Sequence, residues 1–76
     1  MPLDLQTDNV INQSRQICHD INQPLTVIMA RSELILLKMP HDDPNFKALE
    51  QIHQQAEKIS NLVEELRNLL RGLQDE

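Results

Sequence analysis

The chain has 76 residues, a formal net charge of −5, one phenylalanine and no tyrosine or tryptophan. This length allows one small unit and not two domains, and the acidic balance argues against a nucleic-acid binder, which is normally basic. No apolar run approaches the roughly 18 to 20 residues that a membrane span needs, and no signal-peptide pattern opens the sequence, so we expect a soluble segment without direct membrane contact. The single cysteine excludes an intrachain disulfide and fits a reducing compartment.

Residues 1–8 are predicted to be an N-terminal lead-in, because Pro2 does not fit the interior of a helix. From residue 9 to about residue 39, apolar or small side chains recur at alternating spacings of three and four. This is the a/d heptad pattern of a helix in a left-handed bundle. The a/d positions, beginning with a, are Ile11, Ser14, Cys18, Ile21, Leu25, Ile28, Ser32, Ile35 and Met39.

Residues 40–43 are predicted to form a turn, since Pro40 disfavours a helical conformation in the residue before it. Asp43 followed by Pro44 indicates an N-cap and a first helical residue, so the second helix should run from residue 44 to about residue 71. Its a/d positions are Leu49, Ile52, Ala56, Ile59, Val63, Leu66, Leu70 and Leu73. A connection this short makes the two helices antiparallel neighbours, so the predicted fold is an all-α helical hairpin.

A lone hairpin of this length would leave much of both apolar stripes in water. Pairing two hairpins into a four-helix bundle encloses the stripes around one core, and a two-fold symmetric dimer is the commonest arrangement. A chain of 76 residues is also close to the size at which a single core becomes marginal. We therefore predict an obligate homodimer, with residues 9–73 as the dimerisation unit.

One stretch of the first helix carries residues that packing alone does not require: His19-Asp20-Ile21-Asn22-Gln23-Pro24-Leu25. Cys18 takes an a position, so His19 takes the outward b position. Asp20 can accept a hydrogen bond from one ring nitrogen of His19 or take up its proton, which leaves the other nitrogen as a nucleophile. Pro24 removes a backbone hydrogen bond and is expected to bend the helix one turn later. Taken singly, an exposed histidine and an exposed aspartate are more often ordinary surface residues.

This heptapeptide resembles the H-box of sensor histidine kinases, in the variant usually seen as His-Glu-Leu-Asn-Gln-Pro-Leu, and the resemblance covers residues 9–73. It implies a dimerisation and histidine-phosphotransfer domain in which His19 takes the γ-phosphoryl group of ATP and passes it to an aspartate of a response regulator. Asp20 matches the acid/base position, with a side chain one carbon shorter than the usual glutamate. Gln23 stands where other members have a threonine or asparagine that acts in dephosphorylating the regulator, so phosphatase activity stays open. Asn22 adds an amide on the same turn, and Pro24 matches the kink proline.

The resemblance also implies partners. The ATP-binding catalytic domain would be a separate unit that uses ATP and Mg²⁺, so we expect this chain to bind no cofactor or metal and to be inactive by itself. The expected partners are a second copy, that catalytic domain and a receiver domain. The implied location is the cytoplasm, and anchoring of the full-length protein in the inner membrane stays open. The competing interpretation is a structural hairpin that dimerises or binds a partner helix without phosphotransfer.

Antiparallel pairing places His19 opposite residue 64 or 65, so Glu64, Glu65 and Arg67 are expected near it, as a frame for the site or as solvated charges. Arg67 would be able to attract phosphate. His41 and His53 are expected to lie far from His19, and Cys18 is interpreted as a core residue. Outward apolar side chains are interpreted either as docking surface or as ordinary exposed residues; they are Val27, Leu34 and Leu37.

Overall fold

Two long helices make up almost all of the computed structural model, which describes residues 5–74. Helix α1 spans Leu5–Lys38 and helix α2 spans Phe46–Gln74. They pack against each other as a rod of 60 × 15 × 14 Å. The described residues contain no strand, and the predicted all-α hairpin is confirmed.

The helix ends differ from the predicted ones. Helix α1 begins at Leu5, so it extends into the lead-in predicted for residues 1–8, of which residues 1–4 lie outside the described part. It ends at Lys38, one residue before the predicted end, and α2 continues to Gln74, past the predicted end at 71. Asp8 lies in the first turn of α1, where a negative charge is favourable beside the helix N-terminus.

Helix α2 begins two residues later than predicted because Asp43 and Pro44 form a turn. The backbone N–H of Phe46 donates to the carbonyl of Asp43 at 3.0 Å, and the Asp43 carboxylate accepts from the N–H of Asn45 at 2.8 Å. This aspartate turn competes with the helix for the same backbone. The carbonyl of Asn45 accepts the first helical bond, from the N–H of Leu49 at 3.0 Å, so Asn45 replaces the predicted Asp43 as the N-cap.

In each helix, the a and d positions of the predicted heptad stripe lie on two different faces of the hairpin. Side chains at a positions are buried between the helices: Ile11, Cys18, Leu25 and Ser32 in α1, and Ala56, Val63 and Leu70 in α2. The e positions one turn away are partly buried on the same side, for example Met29, Leu36 and Ser60. These a and e positions form the hairpin face, and it is the contact that joins α1 to α2.

The d and g positions form a second face, which we call the outer apolar face. Its large side chains are 40 to 66% exposed. They are Val10, Ile17, Ile21, Ile28, Ile35, Ile52, Ile59, Leu62, Leu66, Leu69 and Leu73. An open groove with a mostly apolar lining runs along part of this face, between Ile28 of α1 and Ile52 and Ile59 of α2. The two helices therefore present d and g residues on one side of the hairpin, and most of them are apolar, as in patches that mark an interaction site.

Candidate functional site

His19 lies on α1, one residue after the fully buried Cys18, and its side chain is exposed, as the heptad position predicts. Successive residues of a helix diverge by about 100°, so the residue after a buried a position turns away from the hairpin interior. Two open grooves of about 280 and 340 Å³ flank the ring. Their lining comes from the b, e and f positions of α1 and from Arg67 of α2. The site is thus on the side of the hairpin opposite the outer apolar face.

The ring of His19 contacts the side chain of Gln23, one turn further along α1. The two Nε2 atoms lie 3.2 Å apart. The amide N–H can donate to this ring nitrogen only in the neutral tautomer that carries its proton on Nδ1. In that tautomer the lone pair of Nε2 is the nucleophile of the ring. Gln23 therefore lies directly against Nε2 of the His19 ring.

Asp20 makes a different contact from the predicted one. Its Oδ1 accepts a hydrogen bond from Gln16 Nε2 at 3.0 Å, in place of one from His19. The reason is helical geometry, because side chains four residues apart lie on one face while adjacent ones diverge. Gln16 was missed in the sequence, although its spacing of four from Asp20 was a readable signal.

The backbone after His19 departs from regular helix bonding. Helix α1 continues through Pro24, which has no N–H to donate to the carbonyl of Asp20. Two residues later, Thr26 Oγ1 donates to the carbonyl of Asn22 at 2.8 Å, a contact that often bends helices. Asn22 is partly buried and lines the groove on the C-terminal side of His19. These departures all fall within two turns of the histidine.

Helix α2 supplies a cation to the site. The side chain of Arg67 is 39% exposed, lines both grooves beside His19, and lies 3.6 Å from the carboxylate of Glu64. Arg15, one turn before His19, lines the groove on the N-terminal side. Of the residues that the sequence placed opposite His19, Arg67 lies beside it and Glu64 is the partner of Arg67. Glu65 is exposed and lines neither groove.

A buried polar contact nearer the turn helps to define how the two helices are aligned. Ser32 is 4% exposed, and its Oγ lies 2.6 Å from Nδ1 of His53. Thirteen residues back from Ser32 is His19, and thirteen residues on from His53 is Leu66, the neighbour of Arg67. Because a buried polar atom is costly without its partner, a slip of one helix along the other is disfavoured. The Ser32–His53 contact therefore favours the register in which Arg67 lies beside His19.

The other two histidines lie away from His19. His53 is in the hairpin face, and the His41 ring contacts Phe46 at the turn, with 4.8 Å between ring centroids. Within residues 5–74, no group of three histidine, cysteine, aspartate or glutamate side chains is placed to hold a metal ion. Over the same range, neither helix has an apolar segment long enough to span a bilayer.

The model of the family described as "His Kinase A (phospho-acceptor) domain" matches residues 10–74. The chain belongs to this family. No curated protein and no solved structure matches it. The match confirms the predicted family, and His Kinase A domains supply the phosphoacceptor and dimerisation functions of histidine kinases. It also agrees with the fold, since a His Kinase A domain is a helical hairpin that dimerises into a four-helix bundle.

Proposed function

We propose that this chain is the phosphoacceptor and dimerisation domain of a two-component sensor histidine kinase, with His19 as the acceptor. A separate catalytic domain would present ATP and Mg²⁺, and His19 would pass the phosphoryl group to an aspartate on a receiver domain. The observation that carries the proposal is an exposed His19, with Arg67 at its side, in a hairpin that matches the His Kinase A family over residues 10–74.

The proposed chemistry begins with the tautomer that Gln23 favours. The Nε2 lone pair of His19 attacks the γ-phosphorus of ATP, the bond from phosphorus to the β–γ bridging oxygen breaks, and ADP leaves with that electron pair. The ring is then positively charged and loses its Nδ1 proton to a base. Asp20 would accept this proton after its carboxylate leaves Gln16, a rotation of one exposed side chain. In the second step Asp20 would return the proton to Nδ1, a receiver carboxylate attacks the phosphorus, and the electron pair of the N–P bond returns to Nε2, so the ring leaves as neutral imidazole.

Dimerisation would use a surface that does not compete with the site. The outer apolar face and His19 lie on opposite sides of the hairpin. Two hairpins joined through their outer apolar faces would enclose those side chains in a four-helix core and leave both histidines open to solvent. Large partners such as a catalytic domain and a receiver domain would then have access to each site. Because the reaction consumes ATP, we infer that the hairpin works in the cytoplasm.

The proposal is tested by incubating the chain with its cognate ATP-binding domain, Mg²⁺ and γ-labelled ATP. We expect protein-bound label that is labile in acid and stable in base, as a phosphoramidate bond is, and that moves to the receiver domain when this is added. His19→Gln should abolish the label. His41→Gln, which removes another exposed histidine at the turn, should retain it. A wild-type dimer that takes up no label would overturn the proposal in favour of a purely structural hairpin.

A further inference from the structure

The two grooves beside His19 have one residue of α2 in common, which is Arg67. A phosphoryl group on Nε2 would extend from the ring into one groove or the other, and it carries between one and two negative charges near neutral pH. We propose that Arg67 is a catalytic residue that binds the phosphoryl oxygens as they arrive at His19 and leave it. The inference rests on the proposed function, and it assigns to the second helix a part in a reaction that otherwise uses only α1.

The existing ion pair of Arg67 supports this role. Arg67 and Glu64 are 3.6 Å apart, with side chains 39% and 55% exposed, and exposed pairs of this kind add little stability. A guanidinium instead forms two parallel hydrogen bonds with a phosphoryl group, which are stronger and directional. Exchange of Glu64 for a phosphoryl group is therefore favourable. In the structure the guanidinium is paired with Glu64 and Arg67 lines both grooves beside the histidine.

The role is one of charge, because Arg67 neither gains nor loses a proton. During transfer the Nε2–P bond forms and the bond to ADP breaks, while negative charge is spread over the three remaining phosphoryl oxygens. A fixed cation beside these oxygens stabilises that arrangement and the phosphohistidine that follows. Arg15 lines only the N-terminal groove, so Arg67 is the cation that both grooves share.

The first test is the rate of labelling by the catalytic domain. We expect Arg67→Ala to lower the initial rate at least about tenfold, a smaller loss than for a donor in an enclosed site because this one is partly exposed. Arg67→Lys should restore part of the rate, since it returns the charge without the planar fork. Arg71→Ala is the matched control, because it removes an exposed arginine one turn away that lines neither groove. It should label at the wild-type rate.

The second test needs no catalytic domain. Phosphoramidate phosphorylates exposed histidines directly, and the His19→Gln spectrum identifies the His19 signal by ³¹P NMR. We expect the phosphoryl group on His19 to release its last proton about half a pH unit or more lower in the wild type than in Arg67→Ala, because a nearby cation favours the dianion. A merely structural role for Arg67 would lower the urea midpoint without moving this titration.

The outcomes separate the two proposals. Equal labelling rates and equal ³¹P titrations in the wild type and Arg67→Ala would overturn the role of Arg67 and leave His19 as the acceptor. A wild-type protein that the catalytic domain does not label, but whose chemically phosphorylated His19 shows the shifted titration, would overturn the proposed function and leave Arg67 as a phosphate-binding residue.

Discussion

Replacing Ile59 by aspartate should dissociate the dimer. Ile59 is 45% exposed in the hairpin and lies at a d position in the outer apolar face. Burying a whole isoleucine is worth about 1.5–3 kcal/mol, so covering the exposed part contributes roughly 1 kcal/mol per protomer and about 2 kcal/mol per dimer. Aspartate removes this contribution and adds two carboxylates that are buried without partners. A total of about 4 kcal/mol would raise the dissociation constant about a thousandfold.

The dissociation constant is measured by sedimentation equilibrium over a range of protein concentrations. Leu37→Asp is the matched control, because Leu37 is 76% exposed and lies at an f position outside the outer apolar face. It introduces the same charge and should leave the dimer intact. The assignment of this face fails if Ile59→Asp dimerises like the wild type, or if the two variants weaken the dimer equally.

Three further predictions concern the hairpin face, the turn and the site. Ser32→Ala should lower the free energy of unfolding by about 1–3 kcal/mol, because it leaves Nδ1 of His53 partly buried without its partner. Urea unfolding at fixed protein concentration measures this loss, and an unchanged midpoint would show that the contact adds no stability. Asp43→Ala should cost about 0.5–1.5 kcal/mol by removing the carboxylate bond in the turn, seen as a lower thermal midpoint, with unchanged unfolding as the contrary result. Gln23→Ala should shift the neutral ring of His19 away from the Nδ1-protonated tautomer, because it removes the donor to Nε2. ¹⁵N NMR of the ring reports the tautomer ratio, and an identical ratio would argue against the Gln23 contact.

The hairpin could be predicted because a heptad period and a proline-bounded turn need no tertiary information. The period could not show which of the two stripes joins the helices within one chain, since a and d positions are both apolar. Side-chain size distinguishes the two stripes. The a positions include small residues such as Cys18, Ser32 and Ala56, which let the helices of one hairpin approach closely, while isoleucines dominate at d. The stripe of smaller side chains faces inward, and the stripe of larger ones is left exposed in the hairpin.

The start of α2 could not be predicted because two local structures compete for Asp43 and Pro44. Both residues suit the beginning of a helix, and both suit a turn, in which the carboxylate accepts a backbone hydrogen bond and proline presets the backbone. Whether the helix or the turn forms here depends on the packing of Phe46 and Leu49, which are partly buried against α1. This packing is a tertiary contact, so the local sequence cannot predict it.

The residues of the candidate site could be named from the sequence, but their pairing could not. His19 and Asp20 are neighbours in the sequence, but their side chains diverge on the helix. Each contacts a residue four positions away: His19 contacts Gln23, and Asp20 contacts Gln16. Contacts at that spacing are a property of any helix. A prediction that starts from helical geometry would therefore have paired all four side chains as the structure does.

The position of Arg67 beside His19 depends on how α1 and α2 are aligned along the rod. A one-turn slip of the helices would move Arg67 about 5.4 Å along the rod and out of reach of His19. Apolar side chains tolerate such a slip, because another apolar side chain takes the vacated place. The Ser32–His53 contact does not, since a slip would leave Nδ1 of His53 without its partner inside the hairpin face, although Ser32 Oγ would keep the carbonyl of Met29. A polar pair can therefore favour one register of two helices, and with it the position of Arg67 beside His19, as buried polar residues do in other helical assemblies.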